Sequence, residues 1–503
     1  MTFETAIRNP ERYRDILSVL KEFEGTVLND SNLLDILYYL YQTGIVSSQS
    51  YNFDTATEYA SKQYIKKINS TRNSDGGFPK GYQSRFWTYV RTLCELGFVY
   101  ASYNENLLIS NIAKSLIEGD IDEQTAFSTQ SVIYNRRSPY RNVLNDFNYF
   151  RFIIEVLKEL WKLGRELSYE QFIVSLFSKT GSVTDFIEVL NSNHFGDSNE
   201  AYNYLKNNYS FITKINTVTK DYPDVVLRLL RITGFVSIRY TGKTYIRLNS
   251  DNTNYIEKIF AHCYTFTKEE KEDGKQFFLK FNIYSNLIIS DKKIKYIEDP
   301  NDYKNKLEQI IKEHNIDKER IDDLIDNLVK ESSIKGFKDE FKYVPEPIRL
   351  EFFLTILLHI FYGDNFTISP NYKSDSLGYP ISQAPGGKGD IEIFSDSIYW
   401  LVEVTLLRNK NQQLNNETSN VIRHMQQNDK TSYLSLVAPI IHEDTKNYFD
   451  TQIIMFLMNR KSIVNIKTFS ILEFKMAIQN KDALKIISTY TKEIIEKAKS
   501  TIN

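Results

Sequence analysis

The run WLVEVTLL, from Trp400 to Leu407, sets the carboxylate of Glu403 in the middle of an apolar, β-rich stretch. A bare carboxylate there costs several kcal/mol to bury unless a cation or hydrogen-bond donors compensate it. The fold must therefore bring a partner to Glu403. Upstream, APGGKGDIEIFSDSIYW reads as a polar loop, a first strand opened by Asp390, and a Ser-Asp-Ser turn into the strand that carries Glu403. Acids at these two places put a pair of carboxylates beside one oxygen-loving divalent cation, and Mg2+ suits the arrangement. Such an ion lowers the pKa of an attacking water and steadies the charge of an in-line displacement at phosphorus. Glu351 lies in a mostly apolar helical stretch, 348–362, ahead of this hairpin. Beyond it, NKNQQLNNETSNVIRHMQ begins a helix with Glu417, Val421 and His424 on one face, so Glu417 can look back toward the metal. A lone helical histidine is more often packed or hydrogen-bonded than catalytic, which gives His424 a supporting role.

Two segments closer to the N-terminus share a layout. In SRFWTYVRTLCELGFVYASYNENLLIS, Ser84 to Ser110, and PDVVLRLLRITGFVSIRYTGKTYIRLN, Pro223 to Asn249, a helical pattern ends at a glycine, Gly97 or Gly234, suited to a left-handed cap. Phe-Val follows, and two alternating strands flank a polar turn. Helix, glycine, strand, turn, strand is the C-terminal half of a winged helix, in which the helix is offered to a DNA groove. Arg85, Arg91, Arg228 and Arg231 lie on these helices, and the loop NRRSPYRN adds Arg136, Arg137 and Arg141, a composition suited to phosphate contacts.

The charge balance qualifies that reading. With 62 basic and 64 acidic residues, the chain has no global basic field, so any nucleic-acid surface must be local. A length of 503 residues with 42% hydrophobic content accommodates two to four packed domains. The expected boundaries are 1–140 and 141–265 for two winged-helix-like recognition modules, 266–344 for a charged helical connector, and 345–503 for the acidic domain, with Pro345 and Pro347 breaking the chain between the last two. Cys94 and Cys263 are too few for a disulfide framework and are expected to be buried thiols. The remaining histidines, His194, His262, His314, His359 and His442, show no zinc-ligand spacing. A charged N-terminus and the lack of an apolar run of roughly 18 residues predict a cytoplasmic protein without membrane contact. No G-x-x-x-x-G-K-[ST] string supports an ATPase.

The order LEFFLTIL, APGGKGDIEIF, LVEVT and NETSNVIRH resembles the catalytic domain of the AlwI-like family of type IIS restriction and nicking endonucleases, a branch of the PD-(D/E)xK nuclease superfamily. The resemblance covers about Pro345 to Met425. It implies a C-terminal α/β domain whose central mixed sheet is flanked by helices, so that with the winged-helix-like modules the expected chain is multidomain with a mainly α N-terminal part. It also implies Asp390 and Glu403 as core metal ligands, the Val404 carbonyl as a further one, and Glu351 and Glu417 at the outer acidic positions. Gly389 stands where the superfamily has a proline, and Thr405 where it has a lysine. The first departure is expected to matter little, whereas the second leaves the usual cationic partner of the attacking water unassigned, so that its role falls to the metal, to Glu417, or to a lysine elsewhere such as Lys388 or Lys410. The branch itself characteristically lacks that lysine.

The expected activity is Mg2+-dependent hydrolysis of a phosphodiester outside a short asymmetric duplex site, within a restriction system. One metal centre per chain implies a second nuclease subunit or a transient homodimer for cutting both strands. Two other readings fit the same residues: a non-catalytic winged-helix DNA-binding protein with a degenerate nuclease domain, and a nuclease of another genome-defence system.

Overall fold

The computed structural model describes residues 3–502 except 47, 49, 54, 142, 144, 211, 213, 241, 292–302, 332–340, 384–387, 409–412, 414–420, 423–429 and 461–462. The chain forms two compact units, Met1–Ile297 and Glu298–Asn503. Among the described residues no helix is long and apolar enough to cross a membrane.

The first unit is mainly helical, and both glycine-capped segments form as read. Its named helices are α1 (Arg12–Lys21), α2 (Tyr82–Glu95), α3 (Glu123–Ile133), α4 (Tyr149–Lys162), α5 (Tyr169–Ser175) and α6 (Tyr222–Ile232). Helix α2 is followed by Gly97 at φ 69° and then by paired strands β1 (Val99–Tyr100) and β2 (Leu108–Ile109). Helix α6 is followed by Gly234 at φ 71° and by the hairpin of β4 (Val236–Arg239) and β5 (Tyr245–Leu248), to which β3 (Leu167–Ser168) adds in the order β3-β5-β4. Both glycines need their bare α-carbon as well as their φ. A β-carbon would lie 2.3 Å from the Phe281 ring at Gly97 and 2.2 Å from Gln124 Nε2 at Gly234.

The helices themselves depart from expectation. Every residue of α6 from Val225 to Ile232 is buried, and so is every residue of α2 from Phe86 to Glu95 except Arg91. They are core helices, whereas a groove-reading helix needs an open face. The expected division at 140/141 is likewise bridged by packing. Arg231 on α6 pairs with Glu11 at the head of α1, Arg141 pairs with Glu95, and Ser128 on α3 meets the Tyr255 hydroxyl at 2.5 Å. Residues 1–140 and 141–265 belong to one unit. Cys94 is buried as expected; Cys263 is exposed.

In the second unit, the amphipathic helix α7 (Lys318–Glu331) buries Ile321, Leu324, Ile325 and Leu328. It packs against α8 (Glu346–Tyr362). The described part of the expected connector beyond Glu298 thus belongs to this unit. Pro345 and Pro347 do not separate domains; they start α8, where a fixed φ and a missing N–H cost nothing. Five strands then form one mixed sheet in the order β12-β11-β10-β9-β6: β6 (Thr367–Pro370), β9 (Ile391–Phe394), β10 (Ile398–Val404), β11 (Thr431–Ala438) and β12 (Val464–Ser470). A small hairpin of β7 (Lys373–Ser374) and β8 (Pro380–Ser382) links β6 to β9. Strand β9 runs antiparallel to both neighbours, while β10, β11 and β12 are parallel.

Helices cover both sheet faces. Tyr399, Leu401, Leu434, Leu436 and Ile466 share an apolar cluster with Phe449 and Ile453 of α9 (Glu443–Arg460) and Ile495 of α11 (Ala483–Ile502). On the opposite face the Trp400 ring packs edge-on to Tyr362 of α8 and Phe474 of α10 (Ile471–Gln479). The Trp400 indole N–H donates to Ser435 Oγ at 3.0 Å. Lys475 of α10 is buried at 3% side-chain exposure and pairs with Asp322 and Asp326 of α7.

Candidate active site

The site begins with a register. Strands β9 and β10 pair Val402 with Ile391, so the next rung sets Glu403 opposite Asp390. Glu403 is 4% exposed in the central strand and pairs with Leu436 on its other side. Asp390 is half-buried, and its Oδ2 accepts from the Val404 backbone N–H at 2.7 Å. That bond ties the acid that opens β9 to the end of β10 and fixes its direction.

Two backbone features hold the pair. A β-carbon at Gly389 would lie 2.5 Å from Glu403 Oε1 and 2.4 Å from Leu401 Cδ1, so the Glu403 carboxylate rests against a bare α-carbon. The glycine that replaces the superfamily's proline therefore matters, contrary to expectation: no larger residue fits without displacing Glu403. Asn371, just past β6, then donates its backbone N–H to the Asp390 carbonyl at 2.9 Å and its side-chain Nδ2 to the Gly389 carbonyl at 2.7 Å.

Alternation along the strands puts Glu392 on the same sheet face as Asp390, Leu401 and Glu403. The Tyr399 hydroxyl donates to Glu392 Oε1 at 2.8 Å. Burial pushes the Tyr399 phenol up, helped by that bond and by the Glu392 and Glu403 charges, so it stays a donor. Glu351 is 6% exposed on α8, and its carbonyl accepts from Thr355 Oγ1 at 2.7 Å. Its charge adds to the burial and the Tyr303 contact that raise the Tyr372 phenol, one residue past Asn371.

Thr405, in the lysine's place, is built into the strand end. Its N–H donates to the Val437 carbonyl at 2.9 Å, and its Oγ1 accepts from the Leu407 N–H at 3.2 Å. Lys388 is exposed beside Gly389. Lys410, Glu417 and His424 lie outside the described residues. Val421, which shares the predicted helical face of Glu417 and His424, is buried in the cluster that contains Leu401 and Leu436. Among the described residues no group of three or more His, Cys, Asp or Glu side chains gathers into a metal cage. The Asp390–Glu403 pair offers hard oxygen donors, which fit an ion that keeps much of its own water.

The seven arginines read as phosphate contacts also make contacts within the first unit. Arg141 donates to both Glu95 oxygens, and Arg231 pairs with Glu11 at 3% side-chain exposure. Arg136 is 9% exposed, donates to the carbonyls of Ser178 and Leu176, and is lowered in pKa by burial. Arg228 bonds Asp224 one turn away at 3.2 Å. Arg91 joins Glu4 at 3.0 Å, Glu95 at 3.3 Å and the Tyr140 carbonyl at 2.9 Å. Arg85 lies over the Tyr89 ring and donates to its hydroxyl at 2.8 Å. Arg137 reaches Glu272 only at 3.9 Å, with a third of its side chain exposed.

Sequence reasoning missed Asn371 and Glu392. Glu392 was within reach, since D-I-E on one strand puts both acids on one face. Asn371 depends on the pairing of β6 with β9, which no local pattern announces.

A mixed sheet flanked by helices, with a strand-opening acid facing an acid inside the central strand, defines a protein of the restriction-endonuclease class. The chain belongs to the AlwI restriction endonuclease family, whose model matches residues 94–346 and 280–477. No curated protein matches it significantly. Solved structures similar to it at low identity include the following three. The small subunit of the heterodimeric restriction endonuclease R.BspD6I is 16% identical, with a TM-score of 0.26 over 36% of this chain and 98% of that one. The BpuJ1 endonuclease binding domain, solved with modified DNA, is 13% identical, with a TM-score of 0.33 over 56% and 97%. Restriction endonuclease FokI is 10% identical, with a TM-score of 0.25 over 96% and 97%. The family assignment stands on the sequence match.

Proposed function

We propose that this restriction endonuclease is of the type IIS or nicking kind, binding a short asymmetric duplex site and hydrolysing one phosphodiester outside it with Mg2+. The observation that carries this reading is the buried Glu403 set across the hairpin from Asp390, each held by the backbone around it. Asp390 and Glu403, with the Val404 carbonyl, would hold the ion; Glu351 and Glu417 would stand outside them, and His424 would support the shell. A bound Mg2+ supplies an acidified water and charge neutralisation at the scissile phosphate. The chain's part is to fix two oxygen donors in a rigid strand pair and to keep apolar side chains packed around them.

DNA recognition falls to the first unit, where the strand order β3-β5-β4 with α4, α5 and α6 supports a winged-helix-like module. Of the seven arginines, Arg85 and Arg137 remain candidates for phosphate contact, and the other five stabilise the scaffold. Double-strand cutting would recruit a second nuclease domain, from another copy or a separate small subunit. The test is to incubate the full chain with supercoiled plasmid and Mg2+, then sequence the ends. Cuts at a fixed distance from one motif are expected. Site-specific binding with no Mg2+-dependent cutting would leave the non-catalytic reading, and scattered ends would leave a nuclease without site preference.

A further inference from the structure

We propose that Asn371 is a positioning residue for the metal-binding pair, setting the orientation of Asp390 through the peptide that precedes it. The inference rests on the reading of Asp390 and Glu403 as metal ligands. Strand β6 ends at Pro370, paired with Ile391, so Asn371 is the next rung and faces Asp390. Its N–H closes that rung on the Asp390 carbonyl at 2.9 Å. Its side chain then takes over where the ladder stops, donating Nδ2 to the Gly389 carbonyl at 2.7 Å. The two bonds grip consecutive carbonyls on either side of the Asp390 α-carbon.

That grip matters because of what Gly389 does. Its α-carbon is the surface against which Glu403 Oε1 rests, and the residue after it sends a carboxylate to the Val404 N–H. A rotation of the Gly389–Asp390 peptide would move the floor under one ligand and the root of the other together. The Asn371 side chain opposes the rotation, and it does so without being a ligand. Residues that orient ligands in this way typically change metal affinity by about 10- to 100-fold when replaced.

The test uses the full-length protein with Asn371→Leu, which keeps the side chain's branched shape and removes its donor, and Asn371→Ala as a second variant. Mn2+ binding is followed by electron paramagnetic resonance of the free ion, without DNA. Both variants are expected to bind Mn2+ about 10-fold more weakly. Their melting temperature and metal-free affinity for a target duplex should stay those of the parent, and excess Mg2+ should restore most of the cleavage rate. Asp390→Asn and Glu403→Gln are measured beside them. Parental Mn2+ binding in those two would sink the reading of the metal pair itself. Lost binding there with parental binding in both Asn371 variants would overturn the positioning role alone. Unfolding of both Asn371 variants would overturn it too, because the backbone rung to Asp390 survives in each.

Discussion

Arg141 and Glu95 form a two-pronged ion pair inside the first unit, Nη2 to Oε1 at 2.9 Å and Nε to Oε2 at 3.1 Å, with the Glu95 side chain 1% exposed. Arg91 approaches the same carboxylate from one helical turn away. Glu95 is thus a shared anchor for a helix and a loop that sequence reading assigns to DNA.

Removing Arg141 takes the two-pronged partner from a buried carboxylate and leaves it only Arg91, at 3.3 Å. Arg141→Ala should destabilise the first unit by about 1.5–3 kcal/mol, visible as a lower thermal or urea midpoint. DNA affinity measured well below that midpoint should stay near parental. A variant of full stability with lost DNA binding would return Arg141 to the interface.

Asp390→Asn and Glu403→Gln keep volume and remove charge. Each should slow Mg2+-dependent cleavage by about three orders of magnitude, roughly 4 kcal/mol of barrier. Binding to the target should persist, because these ligands act on the transition state more than on the complex. Gel-shift and cleavage assays on the same preparations separate the two effects; equal loss of both would argue that the acids serve the fold.

Glu123 carries a pH dependence. Burial, with the Glu11 charge next, pushes its carboxyl up to about 8 from an ordinary 4.5. Below 4.5 the group is protonated whether the chain is folded or not; as pH rises toward 8, the unfolded chain ionises and the folded one resists, so stability falls. Glu123→Gln should therefore stabilise the first unit at neutral and higher pH, and the gain should fade on acidification to below 4.5. Urea midpoints from pH 4 to 9 would show it, and a gain constant across that range would contradict it.

On the proposed reading the Asp390–Glu403 pair makes one cutting centre, and antiparallel strands present phosphates of opposite polarity. Nicked circles should accumulate before linear DNA at low protein concentration. Linear product should then rise with concentration if the chain self-associates, and stay absent if it only nicks. Direct linearisation by a protein shown to be monomeric on DNA would require a second centre.

Some of this was open to reading from the sequence. The alternation around Glu403 and the glycine after each helix are local signals, and both produced the expected strands and caps. The partners of the arginines could not be read because charge in a sequence carries no partner: Arg231 meets Glu11 from 220 positions away. Pro345 and Pro347 misled because proline suits a helix start as well as a break. Asn371 stayed hidden because its role depends on an antiparallel pairing reached only through the β7–β8 hairpin.

The enclosure of α2 and α6 bears on how such an enzyme can acquire a new target. Where the reading helix lies open, a few substitutions on its outer face can retune base preference while the scaffold stays intact. Here Phe86–Glu95 apart from Arg91, and Val225–Ile232, are locked among buried side chains and ion pairs, so substitutions there should unfold the unit before they alter any target preference it carries. Retargeting by selection or by engineering would have to run through exposed turns and hairpin edges, and libraries built on α2 or α6 should return mostly insoluble protein.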